Sequence, residues 1–364
     1  MAVLLRHVAP QSPLLLHFSV RNRIASPKIR FSSSVMVSSA KKVLVPVANG
    51  TEPMEAVITI DVIRRAGADV TVGSVEKQLL VDACHGVKII ADALVSDFSN
   101  DAAFDLIALP GGMPGATNLK TCGTLESMVK KQAADGRLYA AVCASPAVAF
   151  GSWGVLKGLK ATCYPSFMEQ LQSSDATAVD SRVQQDGIVV TSRGPGTTME
   201  FAVALVEQLY GKDKANEVSG PLIMRTNHGD EYTIKEINPM EWTFDDVPQG
   251  GLGGAQAFAK SEKLVNMLRK QKDTNKPYGA ICASPALVLE PHGLLKGKKA
   301  TAFPAMCDKL SDRSEAENRV IVDGNLITSR GPGTSMEFAL GIVEKFFGRH
   351  KALELAKVML FTHP

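Results

Sequence analysis

The 364-residue chain has 45% hydrophobic and 21% charged residues, the balance of an ordinary globular protein with about two domains. Its net charge of +3 is too small to indicate nucleic-acid binding, and no stretch approaches the roughly 18 apolar residues of a membrane-spanning helix. None of the six cysteines lies in a Cys-x-x-Cys pair, so we expect reduced thiols and neither a disulfide framework nor a zinc site.

The first 40 residues differ in composition from the rest of the chain. They contain no Asp or Glu, five Arg or Lys residues and three consecutive serines at 32–34. An N-terminus that is rich in Arg and Ser and free of acids is typical of organelle transit peptides. We therefore predict a disordered transit peptide over 1–40 that directs the protein to the chloroplast. One alternative is a transit peptide for the mitochondrion, and the other is a plain disordered tail on a protein of the cytoplasm and nucleus.

From residue 42 onwards, predicted strands alternate with predicted helices. Such alternation implies right-handed βαβ units in a mostly parallel sheet, with the ligand site beyond the carboxyl ends of the strands. Because Gly50, Gly111, Cys143 and Gly194 each follow a predicted strand, we expect them to meet at one edge of the sheet. The predicted strands are 42–47, 69–75, 87–91, 106–109, 139–142 and 188–191, and the predicted helices are 54–66, 125–134, 145–150 and 198–209.

An internal repeat divides the chain into two copies. Cys143 is followed by Ala-Ser-Pro-Ala, and the same run follows Cys282, 139 residues later. The run Arg-Gly-Pro-Gly-Thr at 193–197 recurs at 330–334. Repeated motifs in the same order indicate that both copies descend from one domain.

The two copies are unequal in length. Copy one spans 42–224, and copy two spans 250–361 after a divergent linker at 225–249. Only the 25 linker residues stand before the Gly-Gly pair of copy two at 250–251, whereas about 70 residues precede the matching pair of copy one at 111–112. The linker lacks apolar strand runs, so we predict that copy two has lost its N-terminal half. An altered splice or gene prediction would account for such a loss.

Cys143 stands between a predicted strand and a predicted helix start. Pro146 suits the first turn of a helix, and Ser145 can cap it. A helix N-terminus favours an anion, so we expect the pKa of the Cys143 thiol to be lowered. Backbone N–H groups of the small residues Gly112 and Ala144 can face a developing oxyanion. The alternative is a buried, inert thiol, which is the interpretation we keep for the other cysteines.

Glu55 lies in the first turn of the first predicted helix, which a doubly wound sheet can bring beside Cys143. A carboxyl group there would be protonated, would donate a hydrogen bond to a thiolate and could shuttle protons. An ordinary helix N-terminal acid is supported equally well by the spacing. We expect His85 at the surface. The glycine-rich run 194–197 lacks the pattern and the lysine of a phosphate loop, so we expect a tight turn there and likewise a turn at 250–254.

Four motifs in fixed order resemble the DJ-1/PfpI family, and the resemblance is strongest to plant members that carry two such domains in tandem. The likeness covers 42–224 fully and 250–361 partially. The motifs are Val-Pro-Val-Ala-Asn-Gly-Thr-Glu-Pro-Met-Glu at 45–55, Leu-Pro-Gly-Gly at 109–112, Val-Cys-Ala-Ser-Pro at 142–146 and Thr-Ser-Arg-Gly-Pro-Gly-Thr at 191–197.

The resemblance implies a flavodoxin-like α/β fold, doubly wound around a mostly parallel sheet and similar to class I glutamine amidotransferases, in two tandem copies of which the second is incomplete. It implies that Cys143 is the nucleophile and Glu55 its carboxyl partner, with the amides of Gly112 and Ala144 as an oxyanion hole. Cys282 has no counterpart of Glu55 and would be a vestigial second site. No metal or cofactor is implied.

The family includes glutathione-independent glyoxalases, which convert methylglyoxal or glyoxal to lactate or glycolate through a cysteine hemithioacetal in carbonyl and oxidative stress defence. Small 2-oxoaldehydes are therefore the expected substrates. Protein deglycase activity, or a redox-sensing chaperone that uses the same cysteine, is the alternative. Tyr164 and its counterpart Phe303 replace a histidine of many members, which argues against amidotransferase or protease chemistry. Family members commonly dimerise, so we expect a homodimer or pairing of the two copies within one chain.

Overall fold

The structure is a computed structural model that describes residues 40–98, 102–226, 231–240 and 252–362. Apart from Ala40, the predicted transit peptide lies outside the described residues. No helix in the described part of the chain is long and apolar enough to span a bilayer.

Copy one is built on a seven-stranded sheet with the order β10-β11-β7-β6-β1-β2-β5. All neighbouring strands run parallel except β10 and β11. The order β2-β1-β6-β7-β11 is that of flavodoxin-like sheets, so the predicted fold is confirmed. The strands of copy one are β1 (Lys42–Val47), β2 (Asp69–Ser74), β3 (Leu80–Asp82), β4 (Lys88–Ile90), β5 (Ala93–Leu94), β6 (Leu106–Leu109), β7 (Leu138–Val142), β8 (Lys160–Ala161), β9 (Thr177–Ala178), β10 (Val183–Asp186) and β11 (Val189–Ser192).

Helices cover both faces of this sheet, because its central strands are apolar on both sides. On one face, α1 and α5 pack on a core that includes Val45, Ala140 and Val190. On the other face, α3 and a π-helical stretch at Pro146–Gly151 pack on a core that includes Ile107 and Tyr139. The helices of copy one are α1 (Pro53–Arg65), α2 (Gly115–Thr121), α3 (Gly123–Ala134), α4 (Met168–Gln172), α5 (Thr198–Tyr210) and α6 (Lys212–Ser219).

Helix α1 begins and ends where its sequence directs. Pro53 occupies the first turn, and the Glu52 side chain accepts a hydrogen bond from the backbone N–H of Met54 at 3.3 Å. The chain leaves the helix through Gly67, whose φ of +90° is a left-handed conformation that favours glycine. These start and stop signals place Glu55, in the first turn of α1, at the edge of the sheet where the parallel strands end.

Copy two has a sheet of four strands with the order β12-β14-β15-β13. Its β13, β14 and β15 repeat β7, β10 and β11, with the same parallel and antiparallel pairings. Within the described residues, copy two has no counterparts of β6, β1 and β2, as the unequal repeat predicts. Its elements are β12 (Lys235–Ile237), α7 (Leu252–Lys260), α8 (Glu262–Asp273), β13 (Tyr278–Ile281), β14 (Val320–Asp323), β15 (Leu326–Ser329), α9 (Ser335–Phe347) and α10 (Arg349–Val358).

Two features of copy two differ from the sequence expectations. The segment 225–249 contributes β12, a short strand that pairs in parallel with β14. The prediction of a turn at 250–254 is wrong from Leu252 onwards, where α7 begins. The alanines that follow these glycines favour helix strongly enough to outweigh the low helix propensity of glycine.

Candidate active site

Cys143 occupies a strained turn directly after β7. Its φ of 66° lies in the left-handed region, which non-glycine residues rarely adopt. Two backbone hydrogen bonds hold this turn: the N–H of Cys143 donates to the carbonyl of Ser192 at 2.9 Å, and its carbonyl accepts from the N–H of Tyr164 at 2.8 Å. Such strain persists only where the surroundings over-determine it, and it is frequent at functional sites.

Ser145 does not cap the following helix, so that prediction is wrong. Its hydroxyl donates instead to the carbonyl of Pro110 at 2.6 Å, in the loop after β6. The hydroxyl faces this carbonyl because two adjacent parallel strands end side by side at the same edge. Ser145 therefore fastens the cysteine turn to the glycine pair that follows Pro110.

Glycines let three loops meet around the cysteine, as the sequence predicts. A Cβ on Gly111 would lie 2.6 Å from the Cβ of Cys143 and 2.9 Å from Oε2 of Glu55. Gly112 has a φ of +90°, and a Cβ there would lie 2.4 Å from the carbonyl oxygen of Gly50. Neither position has room for a larger residue, because backbone and reactive groups occupy the space.

Glu55 is completely buried beside Cys143. Its Oε2 accepts a hydrogen bond from the N–H of Gly111 at 2.7 Å, and the carboxyl group also interacts with the Cys143 thiol. Oε1 has no N–H or O–H partner among the described residues. Burial raises the pKa of Glu55 to about 8, even though the bonds from Gly111 and Cys143 oppose the shift. The carboxyl group is therefore protonated at neutral pH.

The environment of Cys143 does not lower its pKa. Burial, followed by the adjacent Glu55 carboxyl group, raises the pKa of the thiol well above its ordinary value. The N–H groups of Gly112 and Ala144 both point at the sulfur and oppose this shift without cancelling it. The predicted lowering is wrong, because desolvation outweighs the helix terminus that follows the turn. The resting site thus holds two protonated acids side by side.

The sequence model of the DJ-1/PfpI family matches residues 41–208 and 231–345. The chain belongs to the DJ-1/PfpI family. It is 58% identical to "Protein DJ-1 homolog B" of Arabidopsis thaliana over 416 residues, covering 95% of this chain and 94% of that protein. It is 53% identical to "Protein DJ-1 homolog A" of the same plant over 392 residues, covering 89% and 100%. Both alignments are longer than this chain, so these relatives carry segments that it lacks.

A relative with a named activity matches about half of this DJ-1/PfpI chain. "Glutathione-independent glyoxalase DJR-1.2" of Caenorhabditis elegans is 32% identical over 173 residues, which cover 48% of this chain and 90% of that protein. That length fits a single copy of the repeat.

The family site has a polar rim that the sequence patterns did not single out. The thiol of Cys84 donates to the carbonyl of Gly50 at 3.1 Å, and its pKa is raised by burial and by the nearby carboxyl of Glu52. His85 is exposed, as expected, and its Nε2 lies 3.6 Å from Oε2 of Glu52. These groups reach the site because β3 and β4 form a hairpin. No local signal marks residues so far along the chain as neighbours of Glu55.

Cys282 of copy two repeats the backbone of Cys143, and none of the acids in the described ranges takes the place of Glu55 beside it. Its φ is 65°, its N–H donates to Ser329 at 2.9 Å, and its carbonyl accepts from the N–H of Phe303 at 2.8 Å. Burial raises the pKa of its thiol, while the N–H of Ala283 and the positive charge of Arg65 oppose the shift. Arg65 belongs to α1, so this guanidinium comes from copy one.

Proposed function

We propose that the protein is a glutathione-independent glyoxalase that converts methylglyoxal to lactate and glyoxal to glycolate at Cys143. The observation that carries this proposal is the buried pair of Cys143 and Glu55, because the pKa of that carboxyl group is raised to about 8. An acid tuned near the working pH can both donate and accept a proton during one reaction. The named glyoxalase among the relatives supports the same activity.

The reactive form of the pair has lost one of its two protons. Sulfur of Cys143 attacks the aldehyde carbon of the 2-oxoaldehyde, which forms the S–C bond, and the aldehyde oxygen takes the proton that Glu55 holds. The product is a hemithioacetal beside a Glu55 carboxylate. The N–H groups of Gly112 and Ala144, which point at the sulfur, would stabilise the oxygen anion that develops on the adjacent carbon.

Glu55 then moves two protons in succession. It takes the hydrogen from the former aldehyde carbon and gives it to the ketone oxygen, which yields an enediol. It next transfers the enediol hydroxyl proton on the sulfur-bearing carbon to the second carbon, which yields a thioester of the 2-hydroxy acid. Water hydrolyses the thioester, releases the hydroxy acid and restores the one-proton pair. Overall, one carbon is oxidised, its neighbour is reduced, and one water is consumed.

The test is methylglyoxal consumption and lactate formation by the full chain in the absence of glutathione. We expect Cys143→Ala to reduce turnover to background, and Cys282→Ala, the matched substitution at the other elbow, to leave turnover within about twofold. Undiminished turnover in Cys143→Ala would refute the proposal. Absence of turnover in the unmutated protein would refute it equally.

The second candidate is a redox sensor or chaperone controlled by oxidation of Cys143, and protein deglycation would use the same thiol. The specific observation in its favour is the group of donors around the sulfur: two N–H groups and a protonated Glu55. These donors suit a sulfinate, whose oxygens accept hydrogen bonds. Ready oxidation by peroxide together with no aldehyde turnover would favour this candidate. Release of lactate at a catalytic rate would favour the glyoxalase.

Chloroplast targeting by residues 1–40 is a separate proposal. It rests on the acid-free, Arg- and Ser-rich composition of the segment. A fluorescent protein fused behind residues 1–40 should accumulate in chloroplasts, and a diffuse cytoplasmic signal would contradict the proposal.

A further inference from the structure

The two copies contact each other through equivalent segments. Leu360 near the end of copy two and Ile223 near the end of copy one both adopt left-handed backbone, with φ of 58° and 60°. A Cβ on Gly196 would lie 2.4 Å from the carbonyl carbon of Leu360, and a Cβ on Gly333 would lie 2.5 Å from the carbonyl oxygen of Ile223. Each copy thus places its end on the Gly-Pro-Gly loop of the other, in a pseudo-twofold arrangement.

The end of copy two, residues 358–361, is fastened to copy one by polar bonds. The N–H of Gly196 donates to the carbonyl of Met359 at 2.6 Å. Nη1 of Arg182 donates to the carbonyl of Leu360 at 3.1 Å, while its Nη2 donates to the carbonyl of Gly196 at 2.7 Å. The segment 358–361 is therefore held to the loop that follows β11, beside the cysteine turn.

Tyr164 connects this contact to the reactive cysteine. Its hydroxyl donates to the carbonyl of Val358 at 3.0 Å, and its own N–H donates to the carbonyl of Cys143 at 2.8 Å. Its ring lies against Gly194, where a Cβ would approach the ring at 3.3 Å. The tyrosine is half-buried, with one end on the cysteine backbone and the other on copy two.

The reciprocal contact lacks this connection. At the position of Tyr164, copy two has Phe303, whose N–H donates to the carbonyl of Cys282 but whose ring carries no hydroxyl. The hydroxyl bond across the copies therefore exists on the side of the complete site, where it ties copy two to Cys143.

We propose that copy two serves as a built-in positioning partner for the Cys143 site, and that Tyr164 is the positioning residue through which it acts. The segment 358–361 holds the Tyr164 hydroxyl and the loop at Gly196, and it thereby fixes the position of both beside the cysteine turn. Small displacements of a reacting group reduce rates strongly, so the position of Tyr164 determines how the Cys143 thiol is oriented towards a small aldehyde. The turnover part of this inference rests on the proposed glyoxalase function, and the thiol-reactivity part does not.

The main experiment compares Gly196→Ala with Gly333→Ala in the full chain. Both substitutions insert a methyl group into the same pseudo-symmetric interface, but only the first faces the segment that holds Tyr164. The readout is the rate of alkylation of Cys143 by iodoacetamide, followed on its own peptide by mass spectrometry. We expect Gly196→Ala to raise this rate about fivefold or more, because displacement of Tyr164 exposes the buried thiol to the reagent, and Gly333→Ala to change it less than about twofold. Equal effects of the two substitutions, or no effect of Gly196→Ala, would overturn the proposal.

A gentler pair of variants applies if Gly196→Ala does not fold. Tyr164→Phe removes the hydroxyl bond to copy two, and Tyr139→Phe removes a similar bond, to the carbonyl of Val155 at 2.8 Å, inside copy one. We expect Tyr164→Phe to raise the alkylation rate of Cys143 and to lower kcat for methylglyoxal more than it raises KM, and Tyr139→Phe to do neither. Equal behaviour of the two variants would refute the positioning role. If the unmutated protein has no turnover, the proposed function fails, and the alkylation rates alone still decide this inference.

Discussion

The two copies hold the same cysteine turn in two different surroundings. Cys143 and Cys282 share their left-handed backbone and the same pair of backbone bonds, yet among the described residues only Cys143 has a buried carboxyl group beside it. Tyr164 and Ser192, the partners in these bonds, follow Cys143 by 21 and 49 residues, and both have counterparts in copy two. The carboxyl group comes from α1, nearly 90 residues earlier. The comparison separates the backbone turn, which both copies build, from the acid–base chemistry, which needs the α1 of copy one.

The largest effect is expected where copy one packs its loops most tightly. In Gly111→Ala the new methyl group would overlap the Cβ of Cys143, so turnover should fall to background and the free energy of unfolding by about 1–3 kcal/mol. Gly253→Ala in α7 of copy two is the control: a Cβ there meets nothing within 4 Å, and the helix should gain roughly 0.5–1 kcal/mol. Chemical denaturation and the methylglyoxal assay measure both changes. An active Gly111→Ala protein would show that the loop contact is dispensable.

Glu55→Gln should separate activity from stability in copy one. Turnover should fall by roughly 10²–10⁴-fold because the amide cannot shuttle protons. The free energy of unfolding should increase, in contrast to the turnover. The folded protein holds the Glu55 proton up to about pH 8, whereas the unfolded chain releases it near the ordinary pKa of glutamate, so the wild type loses stability as pH rises between these values.

Thermal unfolding at several pH values measures this change in stability. The melting temperature of Glu55→Gln should exceed that of the wild type at pH 8 by more than it does at pH 5. A difference between the two proteins that does not depend on pH would contradict the raised pKa.

A smaller effect concerns the pH profiles of the two thiols. Alkylation of Cys143 should rise about tenfold per pH unit below pH 8 and flatten above it, because the pair loses its first proton there. No carboxyl group in the described part of the chain acts on Cys282, so its profile should show no inflection at that pH. Peptide-resolved alkylation between pH 6 and 10 records both profiles in one sample. Identical profiles would show that Glu55 does not govern Cys143.

The smallest effect is expected at Cys282, across the boundary between the copies. Arg65→Gln removes a positive charge that lowers the pKa of Cys282, so alkylation of that thiol at pH 7 should slow about two- to threefold. Cys143 should be unaffected. Arg64→Gln is the matched control, since Arg64 bonds to Val70 and Asp92 in copy one. Equal slowing in both variants would remove the assignment to Arg65.

Local signals in the sequence were sufficient for the central elements of copy one. The strand predicted at 42–47 and the helix predicted at 54–66 match β1 and α1 to within a residue at each end. β1 is an apolar run, and α1 has apolar residues at helical spacing and is followed by Gly67, so neighbours along the chain decide both structures. Of the hairpin formed by β3 and β4, only the second strand was predicted, because Leu80–Asp82 is short and gains its order from pairing.

The residues that form the site could be predicted from the sequence, but the pKa shift of the thiol could not. Cys143, Glu55, Gly112 and Ala144 were all named from motifs, and the structure brings them together. The direction of the thiol pKa was missed because a helix start is visible in the sequence, whereas the burial that outweighs it comes from distant loops. The hydroxyl bond from Tyr164 to copy two was unpredictable for the same reason, since 194 residues separate its partners.

The contact between the end of each copy and the Gly-Pro-Gly loop of the other has one more consequence, because both copies belong to the same polypeptide. A covalent connection makes their association intramolecular, with an effective concentration on the order of millimolar for short linkers. An interface too weak to hold two separate proteins together at cellular concentrations would then stay closed. Copy two can therefore lack strands that a free subunit would need for affinity and still remain bound to copy one. The specific activity of the chain should not fall on dilution, as it would for a dissociating dimer.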